Sequence, residues 1–335
     1  MIDAGELFAR AWSGMANALT ALLLPEKRIY WPHLLGAAGL ATYVWARHVR
    51  GRRSLFGYLF AKEVWWHRSA REDYGLILAR AVLGALVAAP VVLAIVPAAA
   101  RLSVWLGVTL GPSPLPALGR TEVAMAFTVA SFVADDFTRF LLHYLAHRIP
   151  FLWELHKVHH SAEVMTPFTV HRVHPIEAWL NGVRGSVTTA GIAGLFAWGF
   201  PGRITGFEIL GVAALGFVWS LFGSNLRHSQ VWLSYGRVLE HVFISPAQHQ
   251  IHHSREQRHY DRNFGSAFAV WDWMFGTLYV PVTRERLSFG LPAAVRNHAP
   301  GVVAMLIEPV FAALRHLLPR RRARAGLGSS TASRA

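Results

Sequence analysis

The sequence of 335 residues contains no cysteine. This absence excludes disulfide bonds, thiolate metal ligands, iron–sulfur clusters and cysteine nucleophiles. Charged side chains are scarce too, at 16%, whereas hydrophobic residues make up 53% and the mean hydropathy is +0.31. This balance is typical of a membrane protein rather than of a soluble domain. The 13 Trp and 20 Phe agree with it, because aromatic side chains gather at bilayer interfaces.

Acidic residues are also few, 19 against 33 Lys and Arg, so the formal net charge is +14. Such a charge suits either a nucleic-acid surface or a cytoplasmic membrane face. The arginines lie next to apolar stretches, in the loop 47–75 and in the tail after Pro319, which is the positive-inside pattern. No nucleic-acid-binding motif accompanies them, so nucleic acid is not an expected partner. The first 25 residues lack the pattern of a cleaved signal peptide.

Long apolar stretches separated by polar loops predict an all-α fold, a polytopic helical membrane protein. The basic loop 47–75 is expected to be cytoplasmic, and counting spans from it places both histidine-rich segments, 143–182 and 224–335, on that side. The expected localisation is therefore integral membrane and multi-pass, with the active site on the cytoplasmic side. The predicted bilayer stretches are 76–100, 123–142, 183–200 and 204–223, with a shorter one at 33–46.

Four regions are expected along the chain. They are an N-terminal region with one or two membrane helices and the basic loop (1–120), a histidine-bearing domain (121–282), a C-terminal helical extension (283–318) and a basic disordered tail (319–335).

The 18 histidines are concentrated in three clusters. Positions i, i+3 and i+4 share one face of a helix, so each cluster can direct two or three imidazoles to one point. At this histidine content one H-x-x-H-H pattern arises by chance roughly 0.05 times in such a chain, yet two occur. Eight imidazoles from three segments suit two neighbouring metal ions better than one. The clustered residues are His143 and His147, then His156, His159 and His160, then His249, His252 and His253.

The type of donor narrows the choice of metal. Imidazole suits Fe, Zn, Cu and Ni, and the near absence of carboxylates from the clusters differs from the Glu/His di-iron bundles. An all-imidazole set leaves the charge of the cations uncompensated, so nearby carboxylates are expected to balance it by holding imidazole N–H groups. The candidates are Asp135, Asp136, Glu154, Glu177, Glu240 and Asp272.

A family resemblance becomes specific over residues 120–280. The order and spacing of several motifs there resemble those of the fatty acid hydroxylase/sterol desaturase superfamily of membrane enzymes. The motifs are His143-Tyr-Leu-Ala-His147, Trp153-Glu-Leu-His156-Lys-Val-His159-His160-Ser161, Arg172-Val-His174-Pro175-Ile-Glu177, Asn225-Leu-Arg-His228, Pro246-Ala-Gln-His249-Gln-Ile-His252-His253-Ser254, Tyr260-Asp-Arg-Asn263-Phe-Gly265 and Trp271-Asp272-Trp-Met-Phe275-Gly276-Thr277.

The resemblance implies a helical membrane fold whose cytoplasmic, histidine-rich helical cap holds two iron ions. It also implies two ligands beyond the eight clustered histidines, with no further catalytic residue. His228 lies where members carry a histidine after the last span, and His174 belongs to the His-Pro element. Many members carry a histidine two residues before the Asn, where this chain has Gly223. Three other histidines are expected to have supporting or structural roles: His171, His241 and His259.

The activity expected from the resemblance is O2-dependent hydroxylation or desaturation of a lipid C–H bond, with O2 as co-substrate. The lipid would be a sterol, a fatty acyl chain, a carotenoid or an ether lipid, and it would reach the metals from the bilayer. The sequence has no G-x-G-x-x-G after a strand, so electrons are expected from a separate donor that is cytochrome b5-, ferredoxin- or reductase-like.

Other functions stay open at this point. A zinc-dependent membrane hydrolase would also use histidine clusters, although the chain has no H-E-x-x-H motif. A non-enzymatic haem-binding carrier needs isolated histidines within spans, and a metal transporter needs polar ligands in mid-span. The clustered histidines lie beyond the ends of the predicted spans, which favours the oxygenase.

Overall fold

The computed structural model describes residues 30–87, 94–115, 118–205, 214–295 and 298–318, together with Thr20 and Leu23. Within these residues the predicted all-α fold is confirmed, and the only strand-like pairing is an isolated bridge between Phe243 and Phe268. The helices are α1 (Trp31–His48), α2 (Leu55–Leu59), α3 (Lys62–Trp65), α4 (Arg68–Val87), α5 (Ile95–Leu110), α6 (Arg120–Arg148), α7 (Pro150–His160), α8 (Pro175–Gly199), α9 (Ala214–Leu221), α10 (Pro246–His252), α11 (Val270–Met274) and α12 (Val302–Leu317).

The predicted bilayer stretches are only partly covered by the described residues. Positions 88–93 and 206–213 lie outside them, as does the predicted basic tail 319–335. Among the helices that are described, none combines the length and the apolar composition needed to cross a bilayer.

Helices α5, α6 and α8 pack side by side. Their shared core contains Phe127 of α6, Ala190 and Ala193 of α8, and Ile95 and Ala99 of α5. Small residues line α8 where it meets α5, and this allows the two backbones to approach closely. The outward faces of these helices carry large apolar side chains, among them Val104, Trp105, Val108, Met125, Val129, Val187 and Leu195.

A sharp turn between α6 and α7 brings their histidines together. Ile149 ends α6 in an extended conformation (φ −101°, ψ 115°) because the next residue, Pro150, disfavours the helical conformation of the residue before it. Pro150 then begins α7, where its missing N–H costs nothing. Helix α7 packs between α6 and α12, with a core formed by Leu76, Val158 and Met305.

A buried arginine ties α4 to α7. Arg172 is 1% exposed, and its guanidinium donates to Asp73 Oδ1 (2.8 Å) and Glu72 Oε2 (3.2 Å) on α4. It also donates to the Val158 carbonyl (3.0 Å) and the Ser161 hydroxyl (2.9 Å) at the end of α7. Every partner is an acceptor, so the buried charge is compensated and α4 is fastened to the end of α7.

We expect Gly194→Ala to destabilise the protein, because a Cβ there would lie 2.8 Å from Leu102 Cβ and 2.9 Å from the Ala99 carbonyl oxygen. Overpacking of this kind costs about 1–3 kcal/mol. Gly191→Ala, on the same helix, is the matched control, since a Cβ there meets nothing within 4 Å. The control should match or exceed the wild-type thermal midpoint, because Ala is favoured over Gly by about 0.5–1 kcal/mol in a helix. Equal midpoints for the two variants would contradict the close packing of α5 on α8.

Candidate metal centre

Nine histidines converge in two groups in the interior. Within each group the candidate ligand atoms all lie within 4.8 Å of one another. The first group is His143, His147, His156, His160 and His252, and the second group is His159, His228, His249 and His253. The eight clustered histidines are therefore all present, joined by His228, which the family resemblance had singled out.

Each H-x-x-H-H motif is divided between the two groups. His156 and His160, at i and i+4 on α7, belong to the first group, whereas His159 belongs to the second. The other motif is divided in the opposite sense, since His249 and His253 belong to the second group and His252 to the first. The two motifs thus exchange one imidazole each, and this places the groups side by side: the His160 and His253 rings stack with centroids 4.6 Å apart.

Oxygen acceptors at the rim hold the outer nitrogen of four rings. Nδ1 of His143 lies 2.8 Å from the Phe264 carbonyl, and Nδ1 of His252 lies 2.7 Å from the Arg262 carbonyl. Nδ1 of His159 lies 3.1 Å from the Arg172 carbonyl. A carbonyl only accepts, so Nδ1 carries the proton and donates, and Nε2 of the neutral ring presents a lone pair to the interior. The fourth ring is His156, whose Nδ1 lies 2.7 Å from Glu177 Oε1.

The inner nitrogens are spaced as metal ligands are. In the second group Nε2 of His228 lies 3.0 Å from that of His249 and 3.2 Å from those of His159 and His253. In the first group Nε2 of His160 lies 3.1 Å from that of His147. Two nitrogens bound at right angles, each about 2.1 Å from one metal ion, would be about 3.0 Å apart.

Two inner nitrogens of the first group have no partner. Nε2 of His143 and Nε2 of His252 are buried and make no hydrogen bond, although the Nδ1 atoms of the same rings are held. Leaving a buried polar atom unsatisfied costs about 1–3 kcal/mol. A cation bound among the inner nitrogens would satisfy both atoms, so the residues present fit a metal ion.

Burial keeps seven of the nine rings neutral, the form that binds a metal ion. It lowers the pKa of His159 and of His252 to about 3, so both are uncharged at pH 7. Burial also lowers the pKa well below its usual value at five further histidines: His143, His147, His160, His249 and His253.

The loop that supplies two of the rim carbonyls is itself fixed by two buried carboxylates. Asp272 accepts from the Phe264 and Gly265 amides at 2.8 and 2.7 Å. Asp136 on α6 accepts from the Ala267 amide at 2.6 Å and the Trp271 indole at 2.9 Å. Burial raises the pKa of Asp272 to about 6, which still leaves the carboxylate ionised at pH 7. The loop therefore presents its carbonyls in one geometry.

Gly265 is required where this loop turns. A Cβ there would lie 2.5 Å from the Phe268 carbonyl oxygen and 2.7 Å from Ile244 Cγ1. Two residues before it, Asn263 adopts φ +57°, and its side-chain amide donates to the Gln248 carbonyl at 3.1 Å. Asn is among the few residues that tolerate this left-handed conformation.

Aromatic side chains cover the first group. The Phe264 ring lies 4.9 Å from the His147 ring and 5.5 Å from that of His252, centroid to centroid. Trp153 covers the other side, 5.0 Å from His147 and 5.6 Å from His160. This cover limits the access of water to the inner nitrogens.

The structure places His174 outside both groups. Its Nδ1 accepts from the Ile176 amide as the N-cap of α8, and its Nε2 lies 3.0 Å from the Leu306 carbonyl. Both nitrogens are thus engaged in joining α8 to α12. The three histidines expected to have supporting or structural roles also lie outside the groups; one of them, His259, lies 3.1 Å from Glu285 Oε2.

Of the six carboxylates considered as partners of imidazole, Glu177 contacts a ring of the two groups directly. Asp136 and Asp272 act on the loop backbone, and Glu240 accepts from the Ser245 hydroxyl that caps α10. Asp135 pairs with Arg139 and Arg184, and Glu154 pairs with Lys157. Sequence reasoning missed backbone carbonyls as the main acceptors, and no side-chain pattern signals them.

A cavity of about 170 Å³ opens beside both groups. Its walls include His143 and His156 of the first group and His159, His228 and His249 of the second, so a bound molecule would face both. Apolar side chains form much of the remaining wall: Leu142, Ala146, Leu152, Leu155, Val170, Val173 and Leu180. A small apolar cavity next to candidate metal sites is the usual form of a substrate site.

Comparisons with known proteins agree with this geometry. Residues 128–277 match the family model for fatty acid hydroxylase. The chain is 24% identical over 171 residues to alkylglycerol monooxygenase from Homo sapiens, covering 51% of this chain and 34% of that protein. It is 27% identical over 190 residues to ornithine lipid hydroxylase OlsE from Rhizobium tropici, covering 55% and 51%. It is 29% identical over 147 residues to Delta(7)-sterol 5(6)-desaturase ERG3A from Gibberella zeae, covering 44% and 36%.

The chain thus spans a third to a half of the length of these relatives. No solved structure matches it. The matched segment contains both histidine groups and the carboxylates Asp136, Glu177 and Asp272. Over this segment the chain is similar to the fatty acid hydroxylase/sterol desaturase superfamily.

Proposed function

We propose that the protein is an O2-dependent di-iron oxidoreductase that hydroxylates or desaturates a C–H bond of a lipid. The observation that carries this proposal is the convergence of nine inner imidazole nitrogens in two adjacent groups. The relatives named above support it, because their names describe a monooxygenase, a hydroxylase and a desaturase of lipids.

Nine histidines are the proposed ligands, five to one iron and four to the other. They are His143, His147, His156, His160 and His252, and His159, His228, His249 and His253. His174 is left out of the proposed set because both of its nitrogens are engaged elsewhere. The two irons, when bound, would supply the O2 and one-electron chemistry that no amino-acid side chain provides.

The residues of the chain would position the reaction. The rim carbonyls and Glu177 hold the imidazoles, and Phe264 and Trp153 limit water. Hydroxylation places one atom of O2 in the alcohol and the other in water, and desaturation converts both atoms to water. Either reaction takes two electrons from the lipid and two from outside. We propose a separate cytochrome b5-, ferredoxin- or reductase-like donor, since the sequence has no dinucleotide-binding motif.

We further propose that the protein is a multi-pass membrane protein with the metal centre on the cytoplasmic side. The apolar composition, the exposed apolar faces of α5, α6 and α8, and the arginines of the loop 47–75 support this arrangement. The lipid would enter the cavity between α6 and α8, which both line it. The catalytic domain would occupy residues 121–282, with the N-terminal region docked on it through Arg172.

Metal content tests the two-site proposal. The wild-type protein, purified in detergent with iron and a reductant, should hold about two irons per chain by mass spectrometry. His252→Ala removes a ligand of the first group and His249→Ala one of the second. Each should lower the content to about one iron, because the other group keeps its ligands. His48→Ala, at an exposed position of α1, is the control and should keep both. One zinc per wild-type chain, or full iron in both variants, would contradict the proposal.

Glu177→Ala should weaken iron binding, because it frees the Nδ1 atom of His156. Loss of a hydrogen bond to a ligating imidazole typically lowers metal affinity by roughly 10–100-fold. We expect the iron affinity of Glu177→Ala, measured by competition with a chelator, to fall within that range. Glu177→Gln keeps an oxygen acceptor and should lose less. Glu163→Ala, at an exposed carboxylate, is the control. The role assigned to Glu177 is wrong if Glu177→Ala and Glu163→Ala bind iron equally well.

Activity is tested with isotopically labelled O2 and a reduced donor. Alkylglycerol, ornithine lipid and a sterol are the first substrates to offer, because relatives bear their names. A hydroxylated product should carry label from O2, or an alkene should form only in the presence of O2, and His252→Ala should form neither. A product whose oxygen comes from water without O2 would instead indicate a hydrolase.

A further inference from the structure

One wall of the cavity beside the histidine groups carries a buried arginine. Arg227 lines this cavity, next in sequence to His228, and is 3% exposed. It directly follows the short 3-10 turn Ser224–Leu226. The position is unusual, because arginine is almost never buried without a partner.

Most donors of the Arg227 guanidinium are unused. Its Nε and Nη2 atoms are buried and make no hydrogen bond, and Nη1 lies 3.5 Å from the Ser266 hydroxyl, at the limit of a hydrogen bond. The Cζ atom of Arg227 lies 5.9 Å from the centre of the Trp219 ring. A cation–π contact of this kind uses the flat face of the guanidinium, so it leaves the N–H groups in the plane unsatisfied.

The carboxylates near Arg227 are already engaged. Among the described residues it has no carboxylate oxygen within 4.0 Å, and Asp136, which attracts it from a distance, accepts three hydrogen bonds from the loop after Gly265. Arg139, which lines the same cavity, is paired with Asp135. A guanidinium stays protonated in proteins, so the Arg227 side chain is charged at pH 7. Arg227 therefore lines the cavity without a carboxylate partner among the described residues.

We infer that Arg227 binds an acidic group of the lipid substrate, a carboxylate or a phosphate. The free Nε and Nη2 donors form one edge of a planar fork, and this geometry matches two oxygens of such a group. The inference rests on the proposed lipid-oxidising function and narrows the substrate to acidic lipids.

The position of Arg227 also limits where the lipid is oxidised. The same small cavity of about 170 Å³ is lined by Arg227 and by His143 and His249, one from each group. This volume is that of about five or six water molecules, so it holds a headgroup and a few carbons rather than a whole chain. The oxidised carbon therefore lies within a few bonds of the acidic group, and the rest of the chain lies outside the cavity.

Binding of matched lipid pairs tests the inference without turnover. The iron-loaded protein is kept without O2, and retention of radiolabelled lipid is measured for oleic acid against methyl oleate and for oleoyl lysophosphatidic acid against monooleoylglycerol. The wild-type protein should prefer the acidic member of at least one pair about tenfold or more, and the pair that shows it identifies the carboxylate or the phosphate. Inorganic phosphate alone should bind at least about tenfold more weakly than the lipid, since it lacks the apolar chain.

Arg227→Met should abolish the preference, and Arg237→Gln, at an exposed arginine ten residues away, should keep it. The ligand-free Arg227→Met protein should melt at the wild-type temperature or above, because an unpaired buried charge has been replaced by an apolar side chain of similar length. Arg227→Lys should keep part of the preference, since it retains the charge but not the fork.

Three results would overturn the inference. The first is that the wild-type protein shows no preference for the acidic lipid. The second is that Arg227→Met keeps the preference, which would mean that the acidic group binds to the irons. The third is that ligand-free Arg227→Met melts at a clearly lower temperature than the wild type, which would mean that Arg227 has a structural role. An acid preference in a protein that binds iron but oxidises no lipid would leave this inference standing and refute the proposed function instead.

Discussion

Nine converging imidazoles are the constraint on which this fold depends: within each group their inner nitrogens lie within 4.8 Å of one another, and several pairs are only 3.0–3.2 Å apart. Lone pairs of neutral rings at such distances do not attract one another, and the buried Nε2 atoms of His143 and His252 have no partner at all. The surrounding protein must therefore hold the rings in place. It does so from behind, with acceptors at the outer nitrogens, so that the inner nitrogens remain available to a cation.

The acceptors come from segments that are distant in sequence. The Phe264 carbonyl holds His143 across 121 positions, and the Arg172 side chain reaches Asp73 across 99. Asp272 fixes the backbone whose carbonyls do this work, and Gly265 leaves room for the turn. A metal centre supported by backbone carbonyls depends on the conformation of a loop rather than on the identity of a side chain. A substitution that disturbs the packing of this loop, even far from the rings, would therefore shift the histidines.

The cavity has two kinds of wall: one side carries five of the nine histidines, and the rest is formed mainly by apolar side chains and Arg227. Under the proposed function the histidine side would hold the metals and the other walls would select the lipid. The relatives are named for an alkylglycerol, an ornithine lipid and a sterol, molecules that share little beyond apolar carbon. In this chain those walls include Arg227, whose Nε and Nη2 donors are unsatisfied within the described fold. A charged group beside the metals, rather than a long apolar tunnel, would then set the site of oxidation.

The sequence by itself determined the helical fold, the eight clustered histidines and the idea of two metals, because helical periodicity and ligand chemistry are local. The resemblance to the family added two residues to the predicted ligands. His228 lies in the second group, whereas His174 caps α8 instead. Only the tertiary structure decided that each H-x-x-H-H motif is divided, with His159 and His252 exchanged between groups. That division depends on how α6, α7 and α10 pack, and packing between segments a hundred residues apart leaves no local pattern. For the same reason Glu177 could not be separated from five other carboxylates before its distance to His156 was known.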